Sequence, residues 1–155
     1  MSEPDHPDVI APPVAIHVGF VLLGAGAEYL WPSGAGQDGI AWSATGAAAI
    51  AAGLLLIVWA GLTFRSRDTR PEPWKPTTAI VNSGPYRLSR NPMYLAMGVI
   101  HVGVGIAAGS IWIIATAFPA LVVMRYGVIG REERYLEAKF GDTYLHYKRT
   151  VRRWL

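Results

Sequence analysis

The chain has no cysteine among its 155 residues. That excludes disulfides, thiolate metal sites, iron–sulfur clusters and cysteine nucleophiles, and leaves the redox compartment unmarked. Charge is scarce as well: Asp, Glu, Lys and Arg make up 16% of the sequence, against about a quarter in ordinary soluble domains. The shortage is concentrated in whole stretches. Ile40–Phe64 carries no charge, Pro12–Leu30 is apolar apart from His17 and Glu28, Met93–Ala108 has only His101, and Ser110–Ile129 has only Arg125. The hydrocarbon core of a bilayer takes about 20 predominantly apolar residues as a helix. A helix of a soluble core would instead need polar residues every third or fourth position to make an outer face. Ile40–Phe64 offers only Ser43, Thr45 and Thr63.

The sequence therefore predicts an all-α polytopic membrane protein of one domain, with four transmembrane helices in two hairpins and an amphipathic cytosolic C-terminal helix. The expected segments are a disordered lead (1–11), spans at 12–30, 40–64, 93–108 and 110–129, a cytosolic loop (65–92) and a cytosolic tail (130–155). Secretory signal peptides begin with positive charge, whereas the lead carries Glu3, Asp5 and Asp8, so 12–30 reads as a membrane helix.

Positive charge sets the orientation. Six of the 14 Lys and Arg lie in the loop, at Arg65, Arg67, Arg70, Lys75, Arg87 and Arg90. Seven lie after Gly130, and Arg125 can snorkel toward them. The turns at Trp31–Gly39 and Gly109–Ser110 have none. Basic loops stay cytoplasmic, which puts both termini and the loop inside, in an inner or plasma membrane. The pI near 9.4 then describes a one-sided basic face that touches anionic lipid, not a nucleic-acid surface.

Small residues crowd the second and third spans, from Gly46 to Gly53 and at Gly98, Gly103 and Gly105, where they let helix backbones approach in lipid. Pro119 is placed to kink the fourth. In the loop, Ala79–Tyr94 reads A-I-V-N-S-G-P-Y-R-L-S-R-N-P-M-Y. Gly84-Pro85 and Asn91-Pro92 are turn pairs, and Pro92 can open the third helix at its first turn. In the tail, Leu136, Phe140, Tyr144, Tyr147 and Val151 recur at helical spacing, with a break expected at Gly141. Glu132 and Glu133 project on that apolar side, where two acids at a bilayer edge need a cationic partner or ligand.

Two constellations can carry chemistry. His17 and His101 sit at similar depths in their helices and can meet, as the axial pair of a b-type haem or as a hydrogen bond between helices. The loop and the Glu132-Glu133 tail together offer Arg87, Arg90, Asn91, Tyr86, Tyr94 and two carboxylates. That inventory suits a zwitterionic, amino-acid-like or nucleotide-like ligand, with Arg for carboxylate, Glu for ammonium and Tyr for stacking. It equally describes an interface loop anchored by Tyr and Arg in a non-catalytic lipid-interacting bundle. No zinc-protease, phosphate-loop or EF-hand pattern is present, and no metal site is expected.

Ser83–Tyr94 (S-G-P-Y-R-L-S-R-N-P-M-Y) followed by Arg131–Arg153 (R-E-E-R-Y-L-E-A-K-F-G-D-T-Y-L-H-Y-K-R-T-V-R-R) resembles the isoprenylcysteine carboxyl methyltransferase and phospholipid methyltransferase superfamily of integral-membrane enzymes. The resemblance implies methyl transfer from S-adenosylmethionine to a membrane-associated acceptor: a lipid, a prenylated substrate or a lipophilic small molecule. It implies a cofactor pocket of Arg90, Asn91, Pro92, Tyr94, Glu132 and Glu133, with Tyr86 from the preceding turn and Tyr144 covering it. For an amine acceptor Glu133 or Glu132 is the expected base, and for a thiolate or carboxylate acceptor Arg131 is the expected steering cation. Asn91 stands where the isoprenylcysteine enzymes usually have His, and Val128 where they have an Arg before the acids. The first is closer to the phospholipid N-methyltransferases and many bacterial relatives, and the two together argue against a prenylated-protein carboxylate as the substrate. The Gly-rich faces also permit an oligomer.

Overall fold

The computed structural model describes residues 6–35, 39–66 and 77–155. The first five residues of the expected lead and residues 67–76 of the loop lie outside the described residues. Six helices follow in order: α1 (Pro13–Leu30), α2 (Ile40–Arg65), α3 (Pro92–Ala107), α4 (Ile111–Val123), α5 (Gly130–Phe140) and α6 (Asp142–Thr150). A 3-10 turn at Gly84–Arg87 precedes α3, and a π-helical turn, Met124–Ile129, joins α4 to α5. No strand occurs among the described residues.

Three helices are long and apolar enough to cross a membrane: Pro13–Leu30, Ile40–Arg65 and the continuous Ile111–Phe140. At 16 residues, α3 is shorter and equally apolar. The tail helix expected to start afresh after Gly130 is instead the outward continuation of α4 through the π turn. Its apolar run ends at Ile129, and α5 lies beyond it with Arg131, Glu132, Glu133 and Arg134.

The packing follows the small residues. Packed between α2 and α4, α3 also touches α1, which lies along α4. A Cβ on Gly53 of α2 would stand 2.9 Å from the Ala96 carbonyl of α3, and one on Gly24 of α1 would stand 2.6 Å from Ile113 Cα of α4. Glycine sets these approaches because lipid supplies no hydrophobic drive between helices, leaving van der Waals packing to hold them. Only 11% of the most apolar stretch of α2 is buried, its protein neighbours being α3 and the 3-10 turn.

At one end of the bundle, the Glu28 carboxylate accepts from Ser110 Oγ at 2.6 Å and from the Ser33 N–H at 2.7 Å. Ser110 in turn caps α4 by accepting from the Ile113 N–H at 3.3 Å. Both short turns are thereby tied together through one carboxylate. At the other end lie the 3-10 turn, the start of α3, α5 and α6.

Residues 6–11 depart from the expected disordered lead. The Ile10 N–H donates to the Gly127 carbonyl at 3.2 Å, and the Ile10 side chain fills the space where a Gly127 Cβ would sit. Pro7 is buried, and Val9 and Ala11 pack on the cluster of Ile16, Tyr94, Met124, Val128 and Ile129. The acidic, Pro-rich composition hid this because the docking surface, a notch at Gly127, exists only once the π turn has formed.

Inside the bundle, His17 and His101 do meet. Their Nδ1 atoms are 3.2 Å apart and their rings are edge to face. His101 Nε2 donates to the Ile113 carbonyl at 3.1 Å, so its Nδ1 carries the lone pair and His17 Nδ1–H is the donor. The haem reading fails on this geometry. Two axial nitrogens need about 4 Å between them for two metal bonds of roughly 2 Å, with a porphyrin in the plane between, and here they touch directly. The pair is a hydrogen bond holding α1 to α3.

Candidate functional site: a loop–tail pocket at the end of the bundle

The pocket is built around the turn before α3. Gly84 has φ +55°, and a Cβ there would stand 2.7 Å from Thr63 Oγ1 at the end of α2, so both the backbone conformation and the space exclude a side chain. This turn sets Tyr86 edge to face on Phe64, with ring centroids 5.0 Å apart. The Tyr147 hydroxyl of α6 donates to the Tyr86 carbonyl at 2.8 Å. Pro92 occupies the first helical position of α3, where its missing N–H costs nothing. Asn91 is buried, and its Nδ2 donates to the Arg153 carbonyl at 3.0 Å. Asn91 thus grips the C-terminal segment and also lines the pocket.

Tyr86, Arg90, Asn91, Pro92, Tyr94, Glu132, Glu133 and Tyr144, the expected cofactor-binding set, all line one cavity. Phe64, Val81, Met93 and Leu136 supply its apolar walls, Tyr147 a further aromatic edge, and Pro7 part of its rim. The two acids differ sharply. Glu133 is buried and receives Arg153 through Nε at 2.8 Å and Nη2 at 2.6 Å, with Arg90 Nη1 at 3.3 Å. Burial pushes its carboxyl up, but the Arg153 hydrogen bonds and the charges of Arg90, Arg153 and Lys148 outweigh that and hold it below the ordinary range. Glu132 accepts a 2.5 Å hydrogen bond from the Tyr94 hydroxyl and has no cationic partner among the described residues. Burial raises it to about 7, with Glu133 adding to the rise and the Tyr94 bond opposing it.

A carboxyl held that low, with both oxygens occupied by guanidinium, is a poor proton acceptor, and of the two expected candidates Glu132 is the one left without a cation among the described residues. The expected steering cation is elsewhere. Arg131 donates to the Asp8 carbonyl at 2.7 Å and pairs with its carboxylate at 3.2 Å, outside the pocket lining. Arg125 lies over the Tyr126 ring, 5.3 Å from its centroid. Val128 is fully buried in the apolar cluster, so neither Arg takes the position the carboxyl methyltransferases fill ahead of their acids.

Arg90 is mostly enclosed, with Nη1 shared between Glu133 and the Tyr144 hydroxyl at 3.5 Å and a buried Nε that has no partner. A stranded donor and an unpaired carboxyl in one aromatic-walled cavity have the charge pattern of an amino-acid ligand. The sequence did not single out Arg153, Ser89 or Pro7. Arg153 was absorbed in the count of topology-setting charges, and its partner Glu133 lies 20 residues away, so no local spacing marks it.

The phospholipid methyltransferase family model matches residues 42–143. The chain belongs to this family of membrane methyltransferases. A 35-residue stretch, 23% of the chain, is 57% identical to an uncharacterized protein of Haemophilus influenzae, and it spans about half (56%) of that protein's length. No solved structure gives a significant match. Within the family the paired acids, the turn and the start of α3 are inside the matched span. Tyr144, Tyr147 and Arg153 lie past its end, and Pro7 and Asp8 lie before its beginning.

Proposed function

We propose that this membrane methyltransferase binds S-adenosylmethionine in the loop–tail pocket and methylates a lipophilic acceptor that enters from the bilayer. The observation that carries this reading is the pairing of Arg90, with its buried partnerless Nε, and Glu132, a carboxyl without a cation, in one cavity. Arg90 suits the carboxylate of the ligand, Glu132 its cationic end, and Tyr86, Tyr94 and Tyr144 its flat base. The donor supplies an electrophilic methyl group on a sulfonium.

The chain's own residues have three tasks. Arg90 and the tyrosines hold the ligand, so that the methyl stands within about 3 Å of the nucleophile, a gain in effective molarity of several kcal/mol. The apolar walls, Phe64, Met93 and Leu136, exclude water and admit an acyl or prenyl chain. For an amine acceptor, a Glu132 oxygen takes the departing proton, since its affinity for protons lies near neutrality. Among the described residues the pocket lining holds one guanidinium, Arg90, which this reading gives to the carboxylate of the donor, so a phospholipid amine suits the site better than a prenylated carboxylate. We place α3 as a fourth span, with both termini and the pocket on the cytosolic side.

Calorimetric titration of S-adenosylhomocysteine into the purified protein in nanodiscs, beside Glu132→Ala/Glu133→Ala, tests the pocket. Binding by the wild type and its loss in the variant support it. A folded wild type that does not bind refutes it. Labelled methyl donor with vesicles of phosphatidylethanolamine then tests the acceptor.

A further inference from the structure

The last residues of the chain are stitched to the turn that carries Arg90. The Arg90 N–H donates to the Arg152 carbonyl at 2.9 Å, and Ser89 Oγ and Asn91 Nδ2 both donate to the Arg153 carbonyl, at 3.1 and 3.0 Å. With its backbone held in this way, Arg153 reaches across to Glu133 in a two-pronged contact, one nitrogen on each carboxylate oxygen. Arg90 meets the same carboxylate by a single looser contact of 3.3 Å. Bidentate pairing is the strong geometry and a single contact the weak one. Arg153 therefore takes up the charge of Glu133 and leaves Arg90, which lines the cavity, with one loose contact to that carboxylate and an Nε without a partner.

We infer that Arg153 is a positioning residue for the methyl-donor site: by neutralising Glu133 it keeps Arg90 available to the ligand carboxylate. The inference rests on the loop–tail pocket being the donor site. It adds that the site is completed by a segment beyond the stretch that matches the family. Without Arg153, the Glu133 carboxylate keeps Arg90 as its one close guanidinium and draws it off the ligand. A buried carboxylate stripped of its best partner also takes up a proton more readily. The charged and titratable groups facing Glu133 are then Arg90, Lys148 on α6, Tyr144 on α6 and Glu132.

The test is a double-mutant cycle in full-length protein in nanodiscs, with S-adenosylhomocysteine affinity read from pH 6 to 8.5 and thermal unfolding read alongside. Arg153→Gln is expected to weaken binding about tenfold, the scale of a charged hydrogen bond lost, and to add a second ionisation to the pH profile. Arg153→Lys, which keeps the charge and loses the fork, falls between. In a Glu133→Gln background, Arg153→Gln is expected to change affinity by less than about twofold with no added ionisation, because the residue then has nothing to act through. Equal losses in both backgrounds, or a loss with an unchanged pH profile, would show a purely structural role and overturn the inference. If Arg153→Gln does not fold, the neutral Glu133→Gln/Arg153→Gln pair must restore folding, and failure to do so overturns it as well. Absence of binding by the folded wild type refutes the donor pocket itself, a result distinct from any of these.

Discussion

The Tyr94 hydroxyl donates to Glu132 Oε1 at 2.5 Å, tying the third residue of α3 to the first acid of α5. This bond is the one polar contact that Glu132 makes among the described residues, and it opposes the burial that lifts the carboxyl to about 7.

The affinity for S-adenosylmethionine should rise with pH through about 7. Below that point Glu132 is neutral and offers the cationic end of the ligand nothing, and above it the carboxylate is charged, so binding releases a proton. The empty fold has the opposite preference. Because the carboxyl is raised in the folded state, the fold holds the proton more tightly than the unfolded chain does, and stability falls as pH climbs from the ordinary carboxyl range toward 7. Glu132→Gln should therefore weaken binding, flatten its pH dependence, and unfold at a higher temperature than wild type at pH 8. Calorimetry and a thermal melt check the pair of outcomes.

Tyr94→Phe removes the bond that pulls the Glu132 carboxyl down. The midpoint of the pH–affinity profile should move above its wild-type position, and affinity at pH 7 should drop about tenfold, in line with one hydrogen bond to a charged group. An unmoved midpoint would separate Tyr94 from the ionisation of Glu132.

The native chain has no cysteine, so single cysteines report topology without background. With four spans, Ala35→Cys in the first short turn should react with an impermeant maleimide added outside intact cells, and Ala138→Cys on α5 should react only after permeabilisation. The reverse pattern, or both residues on one side, would remove either the orientation or the fourth span.

The histidine pair should behave as a clamp. His17→Leu leaves the Nδ1 lone pair of His101 without its donor, and His101→Leu removes that bond and also the one to the Ile113 carbonyl, which keeps only the Thr116 hydroxyl as a side-chain donor. Each should lower thermal stability in detergent, by about 0.6 to 1.7 kcal/mol for a lost bond within a membrane bundle, with the larger loss at His101. Neither should change the optical spectrum, because the directly bonded nitrogens leave no place for an iron between them.

The sequence exposed the spans because charge is scarce in them, and it exposed the close approaches of the second and third helices because Gly46, Gly53 and Gly105 stand where a Cβ would collide. It also marked the break at Gly141, where φ is +51°, and it named the cavity lining from Tyr86 to Tyr144. It did not reveal how the two acids divide their roles. Glu132 and Glu133 are adjacent and chemically alike, and only the arrival of Arg153 on one of them makes them different. Nor did it reveal the continuity of α4 into α5, since Gly127 and Gly130 weaken a helix just where the apolar run gives way to charge. Composition misjudged residues 6–11 for a related reason: what orders them is a notch on another element and the Arg131–Asp8 pair, not any property of their own.

The wide turn at Met124–Ile129 has a mechanical consequence for the long helix that contains it. A π turn is one residue inserted into an α-helix and absorbed on the spot, so that the rotational phase before and after it is kept. Deleting Tyr126 should let the helix close to regular winding with Glu132 and Glu133 still aimed inward. Deleting one residue elsewhere between Ile111 and Val123 should swing both acids around the axis by about 100°, off the pocket. The turn thus works as a slip joint in a drive shaft, taking up one residue of length without turning the far end.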